Sequence, residues 1–265
     1  MSGEEETLWH YCSTETLMSI AKKQEFWLGN LFFMNDSMEF EWFRQLALEA
    51  FNWWEPPTEI GKNVIYRFLK SDHLKPVYCG CFSRIEDDLS QWRGYADDGR
   101  GVAIGFDLSE IIAANTPSDL KLERHDVIYD EEVQRQLVRE DIDAKGEHLG
   151  HLIAWIAKRA PTFKNPAFAA ENEVRVVLQP RIVTTDGNAV SDFEKLPEQF
   201  KEVISFRIKD GGCVPYAAVK CPTSSIKALQ LGPRHPTRKS EEALQLFLKV
   251  NQIDVVPTRS KASYR

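Results

Sequence analysis

Residues 77–108 run from the apolar stretch Val77-Tyr78-Cys79-Gly80-Cys81-Phe82-Ser83, through RIEDDLSQWRGYADDGR, to Gly101-Val102-Ala103-Ile104-Gly105-Phe106-Asp107-Leu108. The outer runs are the clearest strands in the chain, because each is short, apolar and closed by a polar residue. The polar stretch between them has room for one helical turn. Cys79 and Cys81 read as two small residues on opposite sides of the first strand. A metal clip is the poorer reading, since zinc knuckles space their cysteines by about two to four residues.

Upstream of this stretch, Leu8-Trp9-His10-Tyr11-Cys12 reads as an aromatic-rich strand. Ser13 or Thr14 caps a helix over 14–24, with Leu17, Ile20 and Ala21 on one face. A second strand covers 26–33. Asn35-Asp36-Ser37 breaks it and starts a helix over 37–51, which Trp53-Trp54-Glu55-Pro56-Pro57 ends, because proline removes a donor and clashes with the preceding turn. Residues 59–70 read as a further helix. Downstream, residues 126–160 are charged and helical up to Ala160-Pro161. Residues 173–180 alternate as a strand, and 204–221 form a hairpin around Asp210-Gly211-Gly212. An apolar stretch over 224–233, a helix over 240–250 and an apolar stretch over 253–259 complete the chain. Strands scattered among helices, without regular β-α-β alternation, predict an α+β fold with a mainly antiparallel sheet. No linker interrupts 1–265, so a single domain is expected.

The chain has 265 residues, 43% of them hydrophobic, which suffices for a substantial core. Thirty-three basic against 40 acidic residues give a net charge of −7, so no global attraction to nucleic acid or anionic membrane is expected, although a local basic groove remains compatible. The acidic start MSGEEETLWH reads as neither a secretory signal nor a transit peptide. No window reaches the roughly 18 apolar residues of a membrane span. Five cysteines, an odd number, predict reduced thiols and a cytoplasmic location.

Standard catalytic signatures are absent: there is no phosphate-binding Walker loop, no Gly-x-Ser-x-Gly and no His-Glu-x-x-His. His148 and His151 lie three apart on one helical face but have no evident third ligand, so a solvated face is expected and no metal. Glu171-Asn172-Glu173-Val174-Arg175 is more informative. On a strand, Glu171, Glu173 and Arg175 share one face. Either that face meets water with Arg175 in a salt bridge, or it aims a carboxylate into a cleft. Trp92 and Tyr95 either plug the core edge or line a pocket where rings stack on a planar ligand. Asn35-Asp36 caps a helix or edges a site. His10, flanked by Trp9 and Tyr11, is a satisfied core histidine or a ligand contact. Four such groups at strand ends point to one shared cleft.

The ordered motifs LWHYCS, LGNLFFMNDSMEF, CFSRIEDDLSQWRGYADDGRGVAIGFD, ENEVRVVL, LQLGPR and SKASYR resemble an uncharacterised bacterial domain family across nearly the whole chain. Cys12-Ser13 and Ser37-Met38 are minor departures from its pattern. More distantly, a first-strand His, an aromatic-Gly strand and a late Glu-bearing strand resemble the ADP-ribosyltransferase superfamily. That resemblance implies a split, mainly antiparallel sheet flanked by helices, with NAD as co-substrate. It implies that His10 holds the adenosine ribose, Tyr95 stacks on nicotinamide and Glu173 contacts the 2′-hydroxyl of the nicotinamide ribose. Tyr11, Asn35, Asp36, Trp92, Glu171 and Arg175 would complete the binding site. Arg175 would hold a pyrophosphate or pin Glu173.

Three functions follow as expectations. The first is transfer of ADP-ribose to a protein or nucleic-acid acceptor, as a toxin or anti-phage effector, with NAD cleavage without transfer as a close variant. The second is a non-catalytic module of the same fold that senses a nucleotide or a partner. The third is metal-dependent nucleic-acid cleavage by Asp36, Glu39, Glu171 and Glu173, which the lack of a clear basic patch disfavours. The first predicts that His10, Tyr95 and Glu173 open onto one cleft large enough for a dinucleotide. A Glu173 closed off by Arg175, away from His10, would contradict it.

Overall fold

The computed structural model describes residues 6–34, 39–53, 63, 66, 69, 76–116, 120–145, 155, 158–179 and 196–264. Asn35, Asp36, His148 and His151, and most of the helix expected over 59–70, lie outside these residues. The fold is α+β, as the scattered strands predicted. Among the described residues, ten strands form one sheet: β1 (Leu8–Cys12), β2 (Glu25–Asn30), β3 (Tyr78–Ser83), β4 (Val102–Phe106), β5 (Leu122–Asp126), β6 (Glu173–Leu178), β7 (Ile204–Lys209), β8 (Gly212–Lys220), β9 (Ile226–Leu231) and β10 (Thr258–Arg259). Every pairing is antiparallel except that of β10 with β9.

One edge of β3 is taken throughout its length by β6, from Tyr78↔Leu178 to Ser83↔Glu173. The other edge is divided. β1 meets it only at Ser83, opposite Trp9, while β2 meets it only at Cys79 and Tyr78, opposite Gly29 and Asn30. Between these contacts the sheet is split, and His10 Nδ1 lies 2.9 Å from the Cys81 carbonyl. A carbonyl can only accept, so Nδ1 carries the proton.

Residues opposite one another across antiparallel strands share a face. On one face, Leu8, Phe26, Leu28, Phe82, Ile104 and Val176 form the main core under helices α1 (Thr14–Lys23), α4 (Leu108–Asn115), α6 (Glu198–Val203) and α7 (Arg238–Val250). The other face is covered in two separate places. At one end, α2 (Glu39–Trp53) and α5 (Glu131–Lys145) bury Phe43, Leu46, Val138 and Ile142 against Cys79 and Val177. At the other, α3 (Leu89–Tyr95) buries Trp92 against Trp9, Tyr11 and Ala103. The gap between these two covers is the cleft described below.

Several local expectations need correction. The second strand stops at Asn30, because the Asn30 side chain accepts from Phe32 N at 3.0 Å and turns the chain into a short 3-10 helix, Leu31–Phe33. Residues 126–160 are not continuously helical: β5 ends at Asp126, Ile128 bridges Phe163, and α5 begins at Glu131. β5 has few apolar residues and is a strand because β6 pairs with it. β6 does not alternate between core and water, since all six of its residues are buried. Cys79 and Cys81, two apart on β3, share one face and do not oppose each other. The hairpin turn is as read: Asp210 and Gly211, both with positive φ (50° and 78°), form the two-residue link that this geometry demands. Among the described residues no helix is long and apolar enough to cross a membrane.

Candidate functional site

A cleft with a cavity of about 240 Å³ opens over the split. Small residues make its floor: Gly29, Cys79, Cys81 and Ser83. A Cβ added at Gly29 would meet only the Cys79 carbonyl, 4.0 Å away, so this part of the floor is a depression. His10, Phe26 and Phe82 line the cleft too, although alternation puts them on the opposite face, because the cavity reaches between the diverging strands.

His10 packs edge-on against Phe26, with ring centroids 4.8 Å apart. Burial holds its pKa below the usual histidine value, against the smaller opposing effect of the Cys81 hydrogen bond. It is therefore a neutral ring with a fixed tautomer.

Tyr95 comes from α3, whose N-cap Asp88 accepts from Gln91 N at 2.9 Å. Trp92 Nε1 donates to Asp87 Oδ1 at 2.7 Å, and Asp87 also accepts from Ser260 Oγ and from Lys261 N near the C-terminus. Behind the helix, Asp97, Asp98 and Gly99 are all left-handed, and Asp98 accepts from Tyr264 Oη at 2.6 Å. Helix and turn are thus held by the last residues of the fold. Trp92 itself is 0% exposed and faces the core, so it cannot touch a ligand as expected. Tyr95, one helical turn further on, is 39% exposed and lines the cleft, donating from Oη to Glu171 Oε1 at 2.8 Å. Tyr11 lines the cleft but is nearly buried; its hydroxyl donates to Ile85 O and accepts from Asp88 N, a structural tie.

The carboxylates form the opposite wall. Glu171 is not on the strand, as its spacing suggested; it ends a 3-10 helix, Pro166–Glu171, and left-handed Asn172 separates it from β6. Glu173 opens β6 at 5% exposure. Arg175, fully buried, donates from Nε to Glu173 Oε1 at 2.7 Å and from Nη2 to Oε2 at 3.1 Å, with Nη1 spent on Pro161 O. Of the two roles expected of Arg175, the structure shows it pinning Glu173.

The residue that sequence reasoning missed is Lys164. It is 4% exposed, and its Nζ bonds both Glu171 Oε2 and Glu173 Oε2, the latter at 3.0 Å. Its backbone is set from α5: buried Gln134 donates to the carbonyls of Ile128 and Lys164 while accepting from Trp42 Nε1. Burial alone would raise the Glu173 pKa. Arg175, Lys164 and the Cys81 thiol outweigh it and hold the group at about 2, so Glu173 is ionised.

Across the floor, Arg207 and Lys209 on β7 line the other side of the cleft. His10, Tyr95, Glu171 and Glu173 therefore share one cleft, while Glu173 is also closed by cations on its inner side. Among the described residues no group of three or more His, Cys, Asp or Glu side chains could hold a metal ion.

No curated protein and no solved structure matches the chain. Residues 91–176, which carry Tyr95, Lys164 and both carboxylates, match an uncharacterised family, described as "Protein of unknown function (DUF2971)", in keeping with the ordered motifs.

Proposed function

We propose that the cleft binds NAD and transfers its ADP-ribose to a protein or nucleic-acid acceptor, with water as acceptor in a close variant. A toxin or an anti-phage effector would use such chemistry. The observation that carries this reading is the convergence of His10, Tyr95, Glu171 and Glu173 on one cleft at a split in the sheet.

Breaking a glycosidic bond builds positive charge on the sugar. Glu173, ionised and held by a bidentate Arg175, supplies a negative group whose position costs no reorganisation at that moment. Glu171 is less buried and shares its charge with Tyr95 and Lys164, which suits it to receive the proton of an incoming nucleophile. The neutral His10 ring sits at the split, within reach of a sugar edge. A cavity of about 240 Å³ is slightly below the common range for small-molecule sites, roughly 300–1,000 Å³, so it would take the nicotinamide-ribose end with the remainder along the open floor.

The test is nicotinamide release from NAD by the purified protein, compared with Glu173→Gln and Glu171→Gln. Release is expected from the natural sequence and a loss of at least about a hundredfold from either variant. No release with any acceptor preparation, and no modified component in a lysate, would sink the idea.

One observation favours a second reading. Glu173 already makes three charge-assisted contacts, two from Arg175 and one from Lys164. That closure suits a module that binds a nucleotide and does not turn it over. Calorimetry separates the two: heat of binding without nicotinamide release supports the sensor. The metal-dependent nuclease is not carried by the geometry, since Asp36 lies outside the described residues and the oxygens of Glu171 and Glu173 are taken up by Tyr95, Lys164 and Arg175.

A further inference from the structure

The charge in the cleft is divided between its two sides. Glu171 and Glu173 stand on the β6 side, already matched by Lys164 and Arg175. The β7–β8 hairpin contributes only cations, Arg207 and Lys209. Register sets their direction. Gly29 opposes Tyr216 and Tyr216 opposes Ser205, so Arg207 and Lys209, at even spacings from Ser205, project over the same floor as Gly29, Cys79 and Cys81. Arg207 is exposed and makes no ion pair among the described residues. The Lys209 Nζ donates to the Phe33 carbonyl at 3.5 Å, at the edge of the same cleft. From β6 to β7 the path crosses β3, β2 and β8. Four strand spacings of about 4.8 Å put the two sides roughly 19 Å apart at the backbone. The long Arg and Lys side chains shorten that gap. A ligand spanning it carries its sugar at one end and its negative charge well away from that end.

We propose that Arg207 and Lys209 form an anion subsite that takes the phosphates of a dinucleotide or nucleoside-diphosphate ligand. The subsite deepens the NAD reading and rests on it for the ligand's other half. Guanidinium pairs bidentately with phosphate, and ammonium supplies a second, movable donor. Among the described residues the pair lies on an edge strand joined to the sheet through β8, so substitutions there should leave the core intact.

The test is calorimetric titration of the full chain with ADP-ribose and, separately, with inorganic pyrophosphate. The Arg207→Ala/Lys209→Ala protein is expected to bind both at least about tenfold more weakly. Arg207→Lys/Lys209→Arg should keep most of the affinity. Lys249→Ala, a charge removed from exposed α7, should change nothing. The inference is overturned if the double alanine variant binds like the natural sequence, or if the natural sequence binds neither probe. Its failure is distinguishable from failure of the transferase reading. Phosphate binding lost in the double variant, with no nicotinamide release from the natural sequence, keeps the subsite and discards the chemistry. Release that persists in the double variant at unchanged KM discards the subsite and keeps the chemistry.

Discussion

The two sides of the cleft are built by opposite strategies. On the β6 side, four charged groups are nearly sealed from water and satisfy one another: Glu173 with Arg175 and Lys164, and Glu171 with Lys164 and Tyr95. On the hairpin side, Arg207 stands in solvent. Buried charges hold their positions because leaving any one unmatched is expensive. An exposed cation such as Arg207 keeps its freedom and costs the fold almost nothing. One side is therefore a template fixed before a ligand arrives, and the other can adjust to it.

That contrast predicts a graded series of effects. Arg175→Met should be the most damaging, because it strands Glu173 in the interior. A loss of about 3–5 kcal/mol in urea unfolding is expected, and a loss below about 1 kcal/mol would mean that the β6 side is not locked. Next comes acid. Glu173 titrates at about 2 in the folded chain against an ordinary 4.5. A carboxylate depressed on folding contributes its full stability above pH 4.5 and loses it as the pH falls towards 2. On the order of 3 kcal/mol from this group should disappear over that window, and Glu173→Gln should remove that share of the acid dependence while Glu123 and the other paired carboxylates keep theirs. An unfolding series between pH 6 and 2.5 measures both. Tyr95→Phe removes one hydrogen bond at a half-exposed site and should cost about 0.5–1 kcal/mol. The smallest effect is that of Arg207→Ala, within about 0.5 kcal/mol in the same assay. A larger loss there would show that the hairpin side carries structural load and would erase the contrast.

Strands β1, β3 and β4 were readable because LWHYC, VYCGCFS and GVAIGFDL are short, apolar and bounded by polar residues. The hairpin was readable from Asp210-Gly211, a pair that accepts positive φ. The cleft itself was half readable. His10, Tyr95, Glu171 and Glu173 drew notice as polar or aromatic groups at strand ends, and the fold gathers them. Lys164 gave no local signal: a lysine before a proline-led turn normally points to water, and it is Gln134, thirty residues away, and the carboxylates beyond the turn, Glu171 and Glu173, that hold it inwards. Trp92 misled for the converse reason. Its neighbours are polar, yet its ring seals Tyr11 and Ala103 from solvent. Arg207 and Lys209 sat in plain view within ISFRIK, but which way they point depends on the order β3-β2-β8-β7, and strand order is not written in local sequence.

His10 also has an architectural consequence. β1 and β2 approach the same edge of β3 from its two ends, so neither can slide along that edge without running into the other. Each strand is the other's stop, and an imidazole laid on the Cys81 carbonyl is the spacer between them. The ladders of β1 with β4 and of β2 with β8 hold the two strands in place, and the space left between them is filled by one side chain. A shorter residue at position 10 would empty the space beside Phe26 and leave the Cys81 carbonyl unmatched, so the shape offered to a ligand would change although no strand need move.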